Sequence, residues 1–407
     1  MIYSLFEVYG VEIEYVLVKE DSLDVLPKVD QLLASLALKP ASDVDLSGGV
    51  GLSNELVRHV VEVKNDPPLS SLTEIAQKIF LALSSIQEPL NQLQACLLPT
   101  GMHPWMDPAK ETLLWQGDYQ EVYHQYHRLF NCYRHGWANL QSTHLNLPFK
   151  GDKEFCQLHT AIRVLLPLLP ALAASSPVAE GKITDYQDTR LHYYASNQAK
   201  LPILSGGIIP EAIASEQEYW EKILDPIEKA IRPLDAEEVL EPIFLNSRGV
   251  IARFDRHALE IRLLDTQECV GADLALASLV VWVLKKMVEE KWSSFESQFS
   301  FSQDLLKKQL AQSISLGEQA PIVDTDYGRL FGFSSGKRQD LKTLWRFLWQ
   351  QSEVEDFFRP FLEARFKYGS LSQRILKHLA GDLSKDHLKK VYSQLADCLK
   401  KNQVYGL

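Results

Sequence analysis

The chain has 407 residues, 46% of them hydrophobic and 23% charged, a balance that excludes a disordered or collagen-like protein and leaves room for one to three folded domains. A formal net charge of -11 and a pI near 5.5 argue against a general nucleic-acid or anionic-membrane surface, though not against a local basic pocket. The five cysteines, Cys96, Cys132, Cys156, Cys269 and Cys398, are odd in number, far apart and without a CxxC pair. They exclude a disulfide framework or a cysteine zinc site and fit a reducing cytosol.

Residues 1–20 read as a strand, without the basic and apolar regions of a signal peptide, so a cytoplasmic location is expected. Residues 21–38 suit a short amphipathic helix that ends before Lys39-Pro40, and "DVDLSGGVGLSNE" reads as a glycine-rich turn region. "LVRHVVEVKND", from Leu56, alternates like a strand closed by Pro67-Pro68. A long helical pattern then runs from Leu69 to Leu98, with Ser70, Ser71 or Thr73 as its cap. An aromatic-rich helix spans about Tyr119 to Trp137, "ANLQSTHLNLPF" alternates like a strand, and Lys153 to Ala174 is helical. The most apolar stretch, Ala161 to Ala179, carries Arg163 and internal prolines, which suits a buried, kinked helix better than a membrane span. Residues 181–215 are loop-rich, and "GVIARFDR" with "ALEIRLLD" suggests a hairpin turning at Arg256-His257. From Ala272 onward the pattern is nearly all helical, apart from a polar loop near 316–339. The fold class is therefore α+β, with a strand-bearing part over 1–290 and a helical C-terminal section over 291–407 packed on it.

The strand at "YGVEIEYVLV" is unusual because its polar positions are two carboxylates, Glu12 and Glu14, on the same face. Like charges side by side weaken a strand, and glutamate is a poor strand former. The pattern recurs. Glu62 and Lys64 stand opposite Val61 and Val63; Ser142, His144 and Asn146 stand opposite Thr143, Leu145 and Leu147; Glu260 and Arg262 back the row Leu259, Ile261 and Leu263. A solvated face explains any one glutamate, but not several such strands in one chain. Paired in one sheet, these strands would bring Glu12, Glu14, Glu62, Glu260 and His144 onto one surface, self-repelling unless cations occupy it.

Carboxylates with at most one imidazole suit Mg²⁺ or Mn²⁺, and magnesium commonly bridges to phosphate, which points to a nucleotide. Arg190, Arg248, Arg253, Arg256 and Arg262 are the candidate phosphate partners. No Walker A loop is present; "GFSSGKRQD" around Lys337 has the wrong spacing, and no GxGxxG follows a strand.

The ordered set "GVEIEY", "HVVEVK", "GMHPW", "STHLNLPF", "LLPLLPALAASSP", "DTRLHYY" and "ALEIRLLDTQE" resembles glutamate–cysteine ligase family 2, the carboxylate–amine ligases. The resemblance spans about residues 5 to 290 and weakens in the helical tail. It implies a glutamine-synthetase-like curved antiparallel sheet with a polar, metal-binding face, helices on its other face, and ATP with Mg²⁺ or Mn²⁺ as cofactors. It also implies ATP-dependent formation of a γ-glutamyl amide through an acyl phosphate, from small-molecule carboxylate and amine substrates, in glutathione biosynthesis. Nucleic-acid and membrane partners are not expected, and a homo-oligomer is left open. Position by position, the resemblance assigns Glu12, Glu14, Glu62, His144 and Glu260 to metal. Arg190 and Arg262 fall at basic positions facing phosphate or substrate carboxylate, with Arg253 and Asn146 as further nucleotide contacts. Asn146 departs from the second His of an HVH pattern, which leaves its role less defined.

Several residues suit ordinary structural roles better: His103 as a pocket-lining or buried His, His124 and His127 on an ordinary helix, Cys269 as a buried thiol, Ser175-Ser176 as a helix end, Lys337 in a solvated loop. The competing readings are a nucleotide-independent metal hydrolase using His103, His144 and the acids, and a non-catalytic protein on the same fold.

Overall fold

Gly10–Lys19 forms β1, the strand around which the sheet is arranged. The computed structural model describes residues 2–334 and 339–406; Lys337, expected in a solvated loop, lies outside the described residues. The remaining strands are β2 (Asp43–Leu46), β3 (Val50–Asn54), β4 (Val60–Asn65), β5 (Ala95–Leu98), β6 (Ser142–Pro148), a separate small ribbon of β7 (Val178–Ala179) and β8 (Lys182–Ile183), β9 (Val250–Arg253) and β10 (Ala258–Asp265). The main sheet has eight strands in the order β2-β3-β4-β1-β6-β10-β9, with β5 paired to the far end of β1. Every pairing in it is antiparallel, so each strand can present one face to a core and the other to a cavity. The α+β architecture with an antiparallel sheet is thus the one expected.

The apolar face of the sheet is covered by helices. Leu72–Ser85 packs on β3 and β4, Gly151–Leu165 on β9 and β10, and Val270–Val288 lies against both helices. Val270–Val288 is apolar nearly all round and is buried along almost its whole length, as such a helix must be. Each Leu or Val that it removes from water contributes about 1.5–3 kcal/mol. The stretch rich in leucine and proline is helical over Gly151–Leu165, tightens over Leu166–Leu168 and resumes over Leu169–Ala173. Pro167 and Pro170 remove backbone donors there, and the segment is buried in the core as a broken helix. Within the C-terminal section, the buried Arg365 donates to the carbonyls of Leu172 and Ala171 and pairs with Glu318 at 2.9 Å.

Three strands of the main sheet depart from the sequence reading. The glycine-rich turn region is a hairpin whose turn is short: Leu46 pairs with Val50, and Gly48 and Gly49 take φ of 87° and 76° between them. Glycine adopts such angles without steric cost, so the turn was legible while the short flanking strands were not. The long helix from Leu69 in fact begins after the Ser71 cap, stops near Gln92, and turns at Gln94, with φ of 53°, into β5.

Candidate active site

The antiparallel register lines up the polar residues in rows across the sheet. One row runs Lys64, Glu12, His144, and the next runs Ser53, Glu62, Glu14. Glu260 sits opposite Asn146 in a third. Of these, Lys64, Glu12, His144, Glu62, Asn146 and Glu260 line a cavity of about 1050 Å³ on the face opposite the helices, while Ser53 and Glu14 are buried beside it. Ligand atoms of Glu12, Glu62 and His144 lie within 4.8 Å of one another. His144 bridges the group: Nδ1 is 3.2 Å from Glu12 Oε2 and 3.7 Å from Glu260 Oε1, and Nε2 is 2.8 Å from Ser142 Oγ.

Charge in this site is unevenly shared. Burial works against ionisation of Glu12, but the His144 hydrogen bond and the charges of His144, Arg256 and Arg262 hold its carboxyl down near 2. Burial, then the nearby Glu12 charge, pushes the Glu62 carboxyl up to about 8. His144 is raised: burial and Arg262 oppose its charge, and Glu12, Glu14 and Glu260 outweigh them. Glu14 is buried and accepts from the Ser142 backbone N–H at 2.7 Å and from its hydroxyl at 3.0 Å.

On the other flank Arg262 pairs with Glu260, Arg253 donates to Glu260 at 3.3 Å, and Arg256 approaches Glu12 at 3.8 Å. Asn146 donates to Glu12 at 3.2 Å, while its Oδ1 is buried with no hydrogen-bond partner among the described residues. All four line the cavity with the acids. Hard oxygen donors crowded around one imidazole fit a divalent cation of the Mg²⁺ or Mn²⁺ type.

Two of the candidate arginines lie elsewhere. Arg248 is buried on Glu211, with bonds of 2.8 and 2.9 Å. Arg190, expected to face phosphate or substrate, is 2% exposed, paired with Asp265 and absent from the cavity wall. The carboxylate of Asp265 also receives Ser175 N–H and Ser176 Oγ, each at 2.8 Å, so the two serines close a buried network rather than merely ending a helix.

His103 is fully buried, with Nε2 donating to the Leu23 carbonyl at 2.8 Å and Nδ1 accepting from Trp105 N–H at 3.3 Å. Burial lowers its pKa to about 4, and it stands apart from the cavity wall, which removes it from a hydrolytic metal site. His127 accepts from Cys132 N–H on an ordinary helix, and Cys269 is buried with its thiol pushed up by burial and by Glu268.

The cavity wall also carries acids that sequence reasoning did not single out, Asp43, Asp45, Glu55, Asp66 and Asp255. Glu55 lines the cavity just beyond β3, and burial together with the charges of Glu14 and Glu62 raises its carboxyl well above the usual range. Its signal was the period of two through Gly51, Ser53 and Glu55, visible only once "VGLSN" is recognised as a strand.

Residues 8–381 match the model of glutamate–cysteine ligase family 2. An uncharacterized protein of Archaeoglobus fulgidus is 32% identical over 390 residues, covering 95% of this chain and 97% of its own. A putative glutamate–cysteine ligase of Rubrobacter xylanophilus is 27% identical over 228 residues, 55% of each chain. Among solved structures, a glutamate–cysteine ligase from Francisella tularensis in complex with AMP superposes with a TM-score of 0.65 at 12% identity, over 98% of this chain and 90% of that one. A bifunctional glutathione synthetase from Pasteurella multocida gives 0.64 at 13% identity over 98% of this chain, which spans about half (53%) of that longer protein. At such identities the structural likeness speaks for the fold, while the match over residues 8–381 speaks for descent. The chain belongs to glutamate–cysteine ligase family 2.

Proposed function

We propose that the protein is an ATP- and Mg²⁺-dependent carboxylate–amine ligase that makes a γ-glutamyl or closely related amide bond. Family membership carries the coarser part, a carboxylate–amine ligase of the glutamate–cysteine ligase type. The observation that supports the finer part is the meeting of Glu12, Glu62 and His144 within 4.8 Å on a cavity floor flanked by Arg253, Arg256 and Arg262.

Glu12, Glu62 and His144, with Glu260 beside them, would hold a divalent cation. When bound, such ions neutralise polyphosphate charge and polarise the phosphoryl oxygens. The protein's own contribution is alignment and charge. Arg253, Arg256 and Arg262 supply cationic donors toward the γ-phosphoryl oxygens, where negative charge accumulates during transfer. Tyr3, Val8 and Pro67-Pro68 in the cavity wall would offer a surface for a planar base.

A carboxylate oxygen of the first substrate attacks the γ-phosphorus and the bond to ADP breaks. The neutral amine then attacks the acyl carbon, inorganic phosphate leaves with the bonding pair, and the amine loses a proton. Neither step requires a protein nucleophile, in keeping with a wall built of acids and arginines.

The test is ADP release from the full chain with ATP, Mg²⁺ and a panel of carboxylates and amines, with glutamate and cysteine as the first pair. Release that depends on both a carboxylate and an amine supports the assignment. Absence of amine-dependent release across a broad panel overturns it.

A further inference from the structure

β10 is not a regular strand. Ile261 pairs with Leu145 and Leu264 with Thr143, so Arg262 and Leu263 together stand opposite His144 alone. This is a β-bulge at the cavity floor, and it does two things. It reverses the alternation of the strand, so that Asp265, opposite Ser142, joins the polar face that Glu260 already occupies. It also takes the Arg262 peptide out of the ladder with β6. The Arg262 N–H is satisfied by the Gly249 carbonyl at 3.0 Å. The Arg262 carbonyl is reached by Arg190, through Nη1 at 3.4 Å and Nη2 at 3.5 Å.

Arg190 is itself held on all sides. Its Nε donates to Asp265, and its backbone N–H donates to Ser176 Oγ at 3.1 Å. Asp265 is locked by Ser175 N–H and Ser176 Oγ, and Gly101 packs so closely that a Cβ there would lie 2.5 Å from the Asp265 carboxyl carbon. Only a planar fork can meet a carboxylate with one edge and a carbonyl with its other two nitrogens. We propose that Arg190 is a positioning residue: through the bulge carbonyl it fixes where the Arg262 side chain stands over the acids of the cavity, and it does not itself touch substrate.

The kinetic part of this inference rests on the ligase reading; the structural part does not. The kinetic experiment is a double-mutant cycle of R190Q and R262Q in the full chain, read as kcat/KM for ATP in amine-dependent ADP release. If Arg190 acts through Arg262, R190Q lowers kcat/KM by roughly tenfold or more alone and by no more than roughly twofold in the R262Q background. Independent, multiplying effects would mean that Arg190 contacts substrate, and would overturn the proposal.

The structural experiment is amide hydrogen exchange of the peptide covering residues 258–265, without ATP or Mg²⁺. R190Q should speed exchange there, and so should R190K, which keeps the charge but loses the fork and serves if R190Q does not fold. Unchanged exchange in the folded variants overturns the proposal whether or not the protein is a ligase. Faster exchange with no ATP turnover in wild type would instead count against the ligase reading alone.

Discussion

Glu62 offers a quantitative test of the acid cluster. Its carboxyl ionises near 8 in the fold against an ordinary 4.5. That is a difference of about three and a half decades in proton affinity, each worth about 1.4 kcal/mol, so ionised Glu62 costs the fold at most about 5 kcal/mol. Relaxation and water entry reduce this, and about 2 kcal/mol is a reasonable working value. The sign follows from linkage: unfolded Glu62 loses its proton near 4.5 and folded Glu62 near 8, so its contribution is full below pH 4.5 and declines as pH rises to about 8. Urea unfolding of the wild type and of E62Q in EDTA, from pH 5 to pH 8.5, measures it. E62Q should overtake wild type as pH rises, while millimolar Mg²⁺ should restore wild type near pH 8 and help E62Q less. Asp273, also pushed up to about 8 by its burial, tilts both curves equally, so their difference is diagnostic. Parallel curves for wild type and E62Q would refute the reasoning.

Glu12 is held ionised by His144 and the arginines, so E12Q removes a charge that is present at every working pH. Amine-dependent ADP release should fall by roughly 100-fold or more while urea stability changes by no more than about 2 kcal/mol; a variant with ordinary turnover takes Glu12 out of the site. E318A strips the countercharge from Arg365, which is 4% exposed, and should cost about 3 kcal/mol by urea unfolding, with loss below about 1 kcal/mol contradicting the pairing. G101A forces a methyl group against Asp265 and should lower both stability, by about 2 kcal/mol, and ADP release; a silent substitution would show that the Asp265 network yields freely.

The sheet was legible where its strands alternate cleanly. Period two in "GVEIEY", "HVVEVK" and "STHLNLPF" identified the faces of β1, β4 and β6, and antiparallel pairing then brought Glu12, Glu62 and His144 together. Where alternation is short or broken, residue order carried less. β2 and β3 flank two glycines in strands of four and five residues, so Glu55 went unseen. β5 begins three residues after a helix, and its Leu97 continues the helical spacing of Leu90 and Leu93. Arg190 was expected at the cavity because its type suits phosphate, but type does not report which side of a chain segment faces solvent. Its place was decided by Asp265, and that residue reaches the polar face only because of a bulge that strict alternation conceals.

That single extra residue in β10 makes the spacing between Glu260 and Asp265 a discrete variable. A one-residue deletion there would not weaken the strand by degrees; it would point Asp265 into the apolar layer and leave the Arg190 guanidinium without a counterion. The length of this strand is therefore tied to the helix that carries Arg190, Thr189–Tyr194.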